Sequence, residues 1–181
     1  MTRPLQQSRR TLRWSIAALA LCCALPGATA QSLGDEAVAK AKLVAALIRF
    51  VQWPSATFES EASPVRLCIH SQSQSVERAF RSYDNTVVGR RPLQLSVNPS
   101  REARGCHAVY LDASTPVRRE HQVGDATFTI GAADGFLADG GMVEIVHVEN
   151  AIRFDVNLEA VRDAGLSINP GVLKLARRVK Q

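Results

Sequence analysis

The chain has 181 residues, of which 46% are hydrophobic and 22% are charged, and this length suits one domain with its own core. Its 22 Lys and Arg against 17 Asp and Glu give a formal charge of +5, but four of the arginines and none of the acidic residues lie in the first 30 positions. The remaining residues carry 18 basic against 17 acidic groups, so the charge does not support nucleic-acid binding, and we expect no nucleic-acid partner.

The first 30 residues have the organisation of a secretory signal peptide. A basic region of Arg9, Arg10 and Arg13 precedes the apolar run Ser15–Leu25, and the small residues Ala28-Thr29-Ala30 follow it as a cleavage site. The run has about 11 residues, whereas a bilayer span needs ~20, and no second long apolar run follows. We therefore predict a cleaved signal peptide at 1–30 and an exported, soluble domain at 31–181. The pair Arg9-Arg10 leaves the general secretory route and the twin-arginine route both open.

Two cysteines remain after cleavage, Cys68 and Cys106. In an exported protein a pair of cysteines indicates one disulfide, which stabilises the fold by about 4 kcal/mol in the entropic account. Two buried free thiols are the alternative. A catalytic cysteine is disfavoured, because no neighbouring residues mark a site that would stabilise a thiolate and no Cys-x-x-Cys pair is present.

A helix with few polar positions is predicted for Asp35–Val51. At 100° per residue, the less apolar positions fall within about 40° of one another; they are Asp35, Lys42, Arg49 and Trp53. A helix this apolar needs more than one buried side, either under a later element of the same domain or partly against a second protein. Pro54 disfavours helical geometry at Trp53, so the helix should end there. Lys42, Arg49 and Trp53 are candidate partner-binding residues.

Strands and helices alternate through the middle of the chain, which predicts βαβ units and a mainly parallel sheet. Helices on both faces of this sheet would give a single three-layer α/β domain. If the first and third strands are neighbours, as in a doubly wound order, Cys68 and Cys106 come within disulfide reach. The predicted strands are Val65–His70, Pro92–Val97, Gly105–Leu111 and Thr127–Ile130, and the predicted helices or helical turns are Gln74–Tyr83, Ser100–Arg104, Thr115–Gln122 and Gly135–Leu137.

The last two strands are predicted to form a hairpin, which makes the sheet mixed. Apolar residues alternate on either side of Glu149-Asn150, a two-residue connection in which Asn tolerates the positive φ of a tight turn. This loop sets the register of the apolar pairs, which are Ile145 opposite Phe154 and Val143 opposite Val156.

Two helices are predicted to follow the hairpin. Leu158–Ala164 should be helical and should stop at Gly165. A last apolar helix should end in Arg177, Arg178 and Lys180, whose charges suit the carboxyl end of a helix.

The outer face of the predicted hairpin carries three charged residues, Glu144, Arg153 and Asp155. Glu144 should face Asp155 directly, a like-charge pair that Arg153 on the diagonal could relieve. The three residues form either a solvated surface cluster or a candidate recognition patch for a partner or a small ligand.

The sequence predicts no enzyme, no cofactor and no metal site. It contains neither a phosphate-binding glycine loop nor a Gly-x-Ser-x-Gly nucleophile elbow. The four histidines lack the i, i+4 spacing of a helical metal site; they are His70, His107, His121 and His147. Asp134 and Asp139 lack the ligand series of a calcium loop.

Several short motifs follow one another along Lys40–Ala176, nearly the whole mature chain. They are Lys40-Ala41, Trp53-Pro54 after the apolar helix, Gly89-Arg90, Gly105-Cys106-His107, Gly135-Phe136, Gly140-Gly141-Met142, Arg153-Phe154-Asp155-Val156-Asn157, Ala164-Gly165-Leu166 and Leu173-Lys174-Leu175-Ala176. Each motif is weak alone, but in this order and spacing they resemble the YfiR family of small periplasmic regulators.

The resemblance implies a periplasmic repressor that binds the periplasmic sensory domain of an inner-membrane diguanylate cyclase. It would thereby control cyclic di-GMP and biofilm formation. Some members are sequestered by an outer-membrane OmpA-type lipoprotein, which is a second implied partner, and homodimerisation is left open. A different membrane receptor, such as a sensor kinase, and a periplasmic small-ligand-binding module are the alternatives.

Four positions depart from the pattern of many family members. Ala45-Ala46 replaces Tyr-Asn in the middle of the first helix, Glu144 replaces Asn, and Ala151 replaces a basic residue. An extra cysteine pair found in some members is also missing here, so one disulfide at most is expected in the exported protein.

Overall fold

The computed structural model of the chain describes residues 27–99, 105–115, 126–149 and 151–181. The helices are α1 (Gly27–Arg49), α2 (Gln74–Arg81), α3 (Leu158–Asp163) and α4 (Pro170–Leu173). The strands are β1 (Val51–Gln52), β2 (Val65–His70), β3 (Val87–Val88), β4 (Arg91–Val97), β5 (Ala108–Leu111), β6 (Phe128–Gly131), β7 (Val143–Val148), β8 (Ala151–Asn157), β9 (Ser167–Ile168) and β10 (Arg178–Lys180). A single 3-10 turn, Ser55–Thr57, lies between β1 and β2 among these residues. Of the helices in the described ranges, none combines the length and hydropathy of a membrane-spanning segment.

The fold is a single α/β domain built on a mixed, mostly parallel sheet, as the alternation of strands and helices predicts. In the described residues the strand order is β10-β8-β7-β6-β5-β2-β4-β3. The neighbouring pairs β4–β2, β2–β5, β5–β6, β6–β7 and β8–β10 are parallel, and the pairs β7–β8 and β3–β4 are antiparallel. Two short strands, β1 and β9, form a separate antiparallel pair.

The hairpin of β7 and β8 has the register that its alternating residues predict. Ile145 lies opposite Phe154, Val143 opposite Val156, and Glu144 opposite Asp155. Glu149 takes the positive φ of the turn, at 55°, while Asn150 lies outside the described residues. The confirmed register follows from local periodicity, because a slip by one residue would turn Ile145 and Phe154 out of the core.

One face of the sheet carries the main hydrophobic core. The buried side chains of all four helices join those of the strands there, with Val44, Phe80, Val161 and Val172 as examples from α1 to α4. Helix α1 packs against α2 and presents Ala37, Ala41, Val44, Leu47 and Ile48 inward. The apolar character of α1 is therefore explained in part by packing within the domain.

The opposite face of the sheet carries a smaller cluster of Cys68, Val109, Leu111 and Phe136. A disulfide joins Cys68 to Cys106, whose Cα atoms are 5.8 Å apart. The pairing depends on the strand order, because β2 and β5 are neighbours and place Cys68 beside Val109. The helical turn at Ser100–Arg104 and nearly all of the helix predicted at Thr115–Gln122 lie outside the described residues.

The first helix differs from its predicted bounds at both ends. It begins at Gly27, ahead of the predicted cleavage site, and ends at Arg49 rather than at Trp53. Val51 and Gln52 instead pair with Ile168 and Ser167 across 115 residues or more. A distant strand thus terminates the helix four residues before the position at which Pro54 would do so.

The end of the chain differs from its prediction more than the first helix does. The predicted last helix is only four residues long, α4. Of the basic residues after it, Arg178 and Lys180 lie in β10, which pairs in parallel with β8. Helix α3 ends as predicted: Gly165 has a φ of +71°, and the N–H groups of Gly165 and Leu166 donate to the carbonyls of Arg162 and Val161 at 2.8 and 3.0 Å. This is the bonding of a Schellman end, which glycine favours.

Candidate functional site

A groove of about 750 Å³ lies between α1 and the tip of the β7–β8 hairpin. We call it the α1–hairpin groove. Helix α1 lines it with Asp35, Glu36, Ala39, Lys42, Leu43 and Ala46, and the hairpin lines it with His147, Glu149, Ala151 and Ile152. Its volume is within the usual range of a binding cleft, ~300–1,000 Å³.

The helical wall of the groove is a single stripe of α1. Asp35, Ala39, Lys42 and Ala46 are spaced at i, i+4, i+7 and i+11, so they lie on one face of the helix, and all four are exposed. The two alanines leave the helix backbone open to close approach. Val38 borders this stripe and keeps 54% of its surface exposed.

A polar contact joins the two walls of the groove. Glu36 Oε1 lies 3.3 Å from His147 Nε2 and also pairs with Lys40 Nζ. Lys40 is buried at 7% exposure, so Glu36 neutralises its charge where water is scarce. The contact joins the hairpin tip to α1 near the third turn of the helix.

Of the predicted partner-binding residues on the first helix, only Lys42 lines the groove. Arg49 is exposed but lies seven residues further along α1, about 10 Å by helical rise. Trp53 lies beyond the end of the helix, so the predicted alignment of Trp53 with Asp35, Lys42 and Arg49 is wrong. Their role in partner binding stays a prediction.

Trp53 instead anchors the segment that follows β1. It is half-buried, its Nε1 donates to the carbonyl of His107 at 3.3 Å, and its ring meets Phe58 edge-on at 6.0 Å. His107 Nδ1 accepts from the N–H of Arg66 at 2.9 Å. Burial, with Arg66 and Arg91 nearby, lowers the pKa of His107, which keeps this nitrogen free to accept.

The irregular segment 59–64, which precedes β2, is held by Arg91. One guanidinium nitrogen, Nη1, donates to the carbonyls of Ser60, Glu61 and Ser63 at 2.6 to 2.9 Å, and the guanidinium carbon lies 3.9 Å from the ring centre of Phe58. These contacts give Arg91 a structural role.

The three charged residues predicted to form a patch on the hairpin each have different hydrogen-bond partners. Glu144 accepts from the N–H groups of Gly135 and Leu137 at 3.3 and 2.9 Å. Arg153 is exposed, and its Nη1 donates to the carbonyl of Ile152 at 3.4 Å. Asp155 is fully buried, so the first of the two alternatives, a solvated cluster of all three, is wrong. The role of Glu144, Arg153 and Asp155 in partner binding stays a prediction.

Asp155 accepts hydrogen bonds from two arginines near the end of the chain. Arg177 Nε donates to Oδ1 and Arg178 Nη2 to Oδ2, each at 2.9 Å. The hydrogen bonds from Arg177 hold the pKa of Asp155 below its ordinary value, although burial opposes them. Arg153, the residue predicted to relieve this charge, does not contact it; the donors are Arg178 in β10, which lies alongside β8, and Arg177 directly before that strand.

A second buried carboxylate, Asp112, was not identified from the sequence. It follows β5 and accepts from the hydroxyls of Ser71, Ser114 and Tyr110 at 3.1, 2.7 and 3.3 Å. Burial, together with Asp112, raises the pKa of Tyr110. The one available signal was the position of Asp112 directly after a buried strand, at the carboxyl edge of a parallel sheet where polar groups gather.

The described residues show no arrangement suited to metal binding. Within them, no three His, Cys, Asp or Glu side chains are close enough together to hold a metal ion. Asp155, Asp112 and His107 each have protein partners that account for their burial.

Two comparisons place this sequence among known proteins. Residues 37–177, more than three quarters of the chain, match the family model described as YfiR/HmsC-like. A solved structure, described as the ABC domain in complex with L-Trp from Streptococcus pneumonia, shares 14% identity over 79% of this chain and 60% of that chain, with a TM-score of 0.47. The chain thus spans less than two thirds of that protein, and we base no argument on the likeness.

Proposed function

The chain belongs to the YfiR/HmsC-like family, and from that membership we propose that it is an exported regulator of diguanylate cyclase signalling. It binds the periplasmic sensory domain of an inner-membrane cyclase and represses it, so that cyclic di-GMP and biofilm formation stay low. An outer-membrane OmpA-type lipoprotein that sequesters the chain would release the cyclase. The family match over residues 37–177 is the observation that carries this proposal.

The distribution of polar groups supports a binding role. Asp155 and Asp112 are both buried and are occupied by donors from the same fold. The α1–hairpin groove, by contrast, leaves Asp35, Lys42 and Glu149 exposed beside apolar surface. An exposed polar rim around apolar positions is typical of protein interaction surfaces.

Repression requires a preference for one state of the cyclase. A protein that binds the inactive state more tightly shifts the population toward it, and the size of the shift equals the difference in binding free energy. A change from 1% to 99% inactive needs about a 10⁴-fold preference. No cofactor is needed for this mechanism.

A small-ligand-binding role is the second candidate. The size of the α1–hairpin groove favours it, because about 750 Å³ would accommodate a metabolite. The many exposed residues along its helical wall favour a macromolecule instead, since small ligands are usually bound with most of their surface buried.

The test is deletion of the gene in its own bacterium, with cyclic di-GMP measured by mass spectrometry. Deletion should raise cyclic di-GMP, and the full chain should restore the lower level. A version without residues 1–30 should fail to restore it, because it would remain on the wrong side of the inner membrane. Unchanged cyclic di-GMP in the deletion strain would contradict the proposal.

A further inference from the structure

The charges around the α1–hairpin groove are unevenly placed. Glu36 is paired with Lys40 and His147, whereas Asp35 and Glu149 are exposed and form no ion pair among the described residues. Both lie within two positions of the Glu36–His147 contact. In the part of the chain that the structure describes, the groove lining thus carries two carboxylates without an ion-pair partner, against one exposed cation, Lys42.

The floor of the groove is apolar, and its shape allows a bound segment to come close to α1. Ala39, Leu43 and Ala46 from α1 face Ala151 and Ile152 from the hairpin. The stripe from Asp35 to Ala46 is about 16 Å long by helical rise, which matches about three turns of an opposing helix. Small side chains let such a segment lie close to the backbone of α1.

We propose that the α1–hairpin groove binds a cationic, amphipathic segment of the receptor that the protein regulates. Its apolar side lies on the groove floor, and its basic side chains meet Asp35 and Glu149. This inference rests on the proposed function for the identity of the partner, and on charge complementarity for the chemistry of the segment. An acidic segment would meet repulsion at the same place.

The probe is a fluorescently labelled amphipathic peptide of about 14 residues, long enough to cover the groove floor as a helix. It carries lysines on one face and alanine and leucine on the other, and a second peptide carries glutamates in place of the lysines. Fluorescence anisotropy should show binding of the lysine peptide alone. The double variant Asp35→Lys/Glu149→Lys should lower its affinity about tenfold or more, since two favourable ion pairs become repulsive.

The matched control is Asp139→Lys/Asp163→Lys, which makes the same charge change at exposed positions away from the groove. It should retain at least half of the affinity. Equal binding of the two peptides, no binding of the lysine peptide, or an equal loss in the control variant would overturn the proposal. Far-ultraviolet circular dichroism and the Tm of all variants should match the wild type, because all four sites are exposed.

Cyclic di-GMP measured with the same variants separates this inference from the proposed function. If the groove variant loses the peptide but still lowers cyclic di-GMP, the function stands and the groove is not its receptor site. If gene deletion leaves cyclic di-GMP unchanged while peptide binding keeps its charge dependence, the proposed function fails and the binding chemistry of the groove stands.

Discussion

Single residues determine the packing on the face of the sheet opposite the main core. Phe136 is completely buried, and its ring lies where a Cβ at Gly131 or Gly141 would be. The two glycines therefore make room for an aromatic side chain between two passes of the backbone. Both glycines allow the backbone to lie close to the Phe136 ring, which no larger residue permits at native packing density.

Gly141→Ala tests this close approach. The new methyl group would collide with the Phe136 ring and would lie 2.7 Å from the Phe136 carbonyl oxygen, so the free energy of unfolding should fall by about 1–3 kcal/mol or more. Chemical denaturation measures the change. The matched control is Gly34→Ala, where the added Cβ would meet no described atom within 4 Å apart from the adjacent residues and the backbone of its own helix. In a helix this exchange should be neutral or stabilising by up to about 1 kcal/mol, and equal destabilisation of both variants would refute the packing argument.

Among the secondary-structure elements, β10 has the largest effect on the residues of a neighbouring strand. It pairs Arg178 with Asp155 and Lys180 with Asn157 in parallel register. This pairing carries Arg177 and Arg178 to a carboxylate that β8 has buried completely. A carboxylate with no exposure is tolerated because charged donors reach it.

Arg177→Ala/Arg178→Ala should therefore lower the Tm by roughly 5 °C or more, because it leaves a buried charge unpaired. The folded-state pKa of Asp155 is depressed, so its contribution is present above the unfolded value of about 3.9 and is lost as the pH falls through the folded value. The difference in Tm between wild type and variant should hold near neutral pH and shrink below about pH 4.

Arg153→Ala is the control for this pair, since Arg153 is exposed on the same hairpin and does not contact Asp155. Its Tm should stay within about 2 °C of the wild type. Thermal denaturation followed by circular dichroism measures all three proteins. A pH-independent difference for the double variant would indicate lost packing of the arginine stems rather than an ion pair.

At the scale of the whole molecule, the strand order brings distant segments together. The chain moves from β2 to β4 on one side and then to β5 on the other. This reversal places Cys68 beside the segment that carries Cys106, 38 residues later. It also places Ser71 and Asp112 together at the carboxyl edge of the sheet.

Replacing both cysteines, Cys68→Ala/Cys106→Ala, should lower the free energy of unfolding by about 4 kcal/mol in the entropic account of cross-links. A reductant should destabilise the wild type by a similar amount and leave the variant unchanged. Mass spectrometry of a non-reduced digest of the exported protein should show the two peptides joined. Complete alkylation of both cysteines without reductant would contradict the disulfide.

Features that depend on local pattern could be predicted from the amino-acid sequence. The alternation in β7 and β8 fixed the hairpin register, Gly165 fixed the end of α3, and the alternation of strands with helices fixed the fold class. Period-two and period-3.6 patterns and the left-handed conformation of glycine operate within a few residues, so they can be read without the rest of the chain.

Features that join distant segments became visible in the three-dimensional fold. The sequence placed Lys42 on an exposed face of α1, but the groove beside it needs His147 and Glu149, about a hundred residues later. Asp155 was predicted on a solvated face because the pattern does not show that β10 lies next to β8. Trp53 was placed on the helix because the pairing of β1 with β9 is not visible in the sequence. Burial and charge pairing are properties of neighbours in space, and local periodicity carries no record of which neighbours those are.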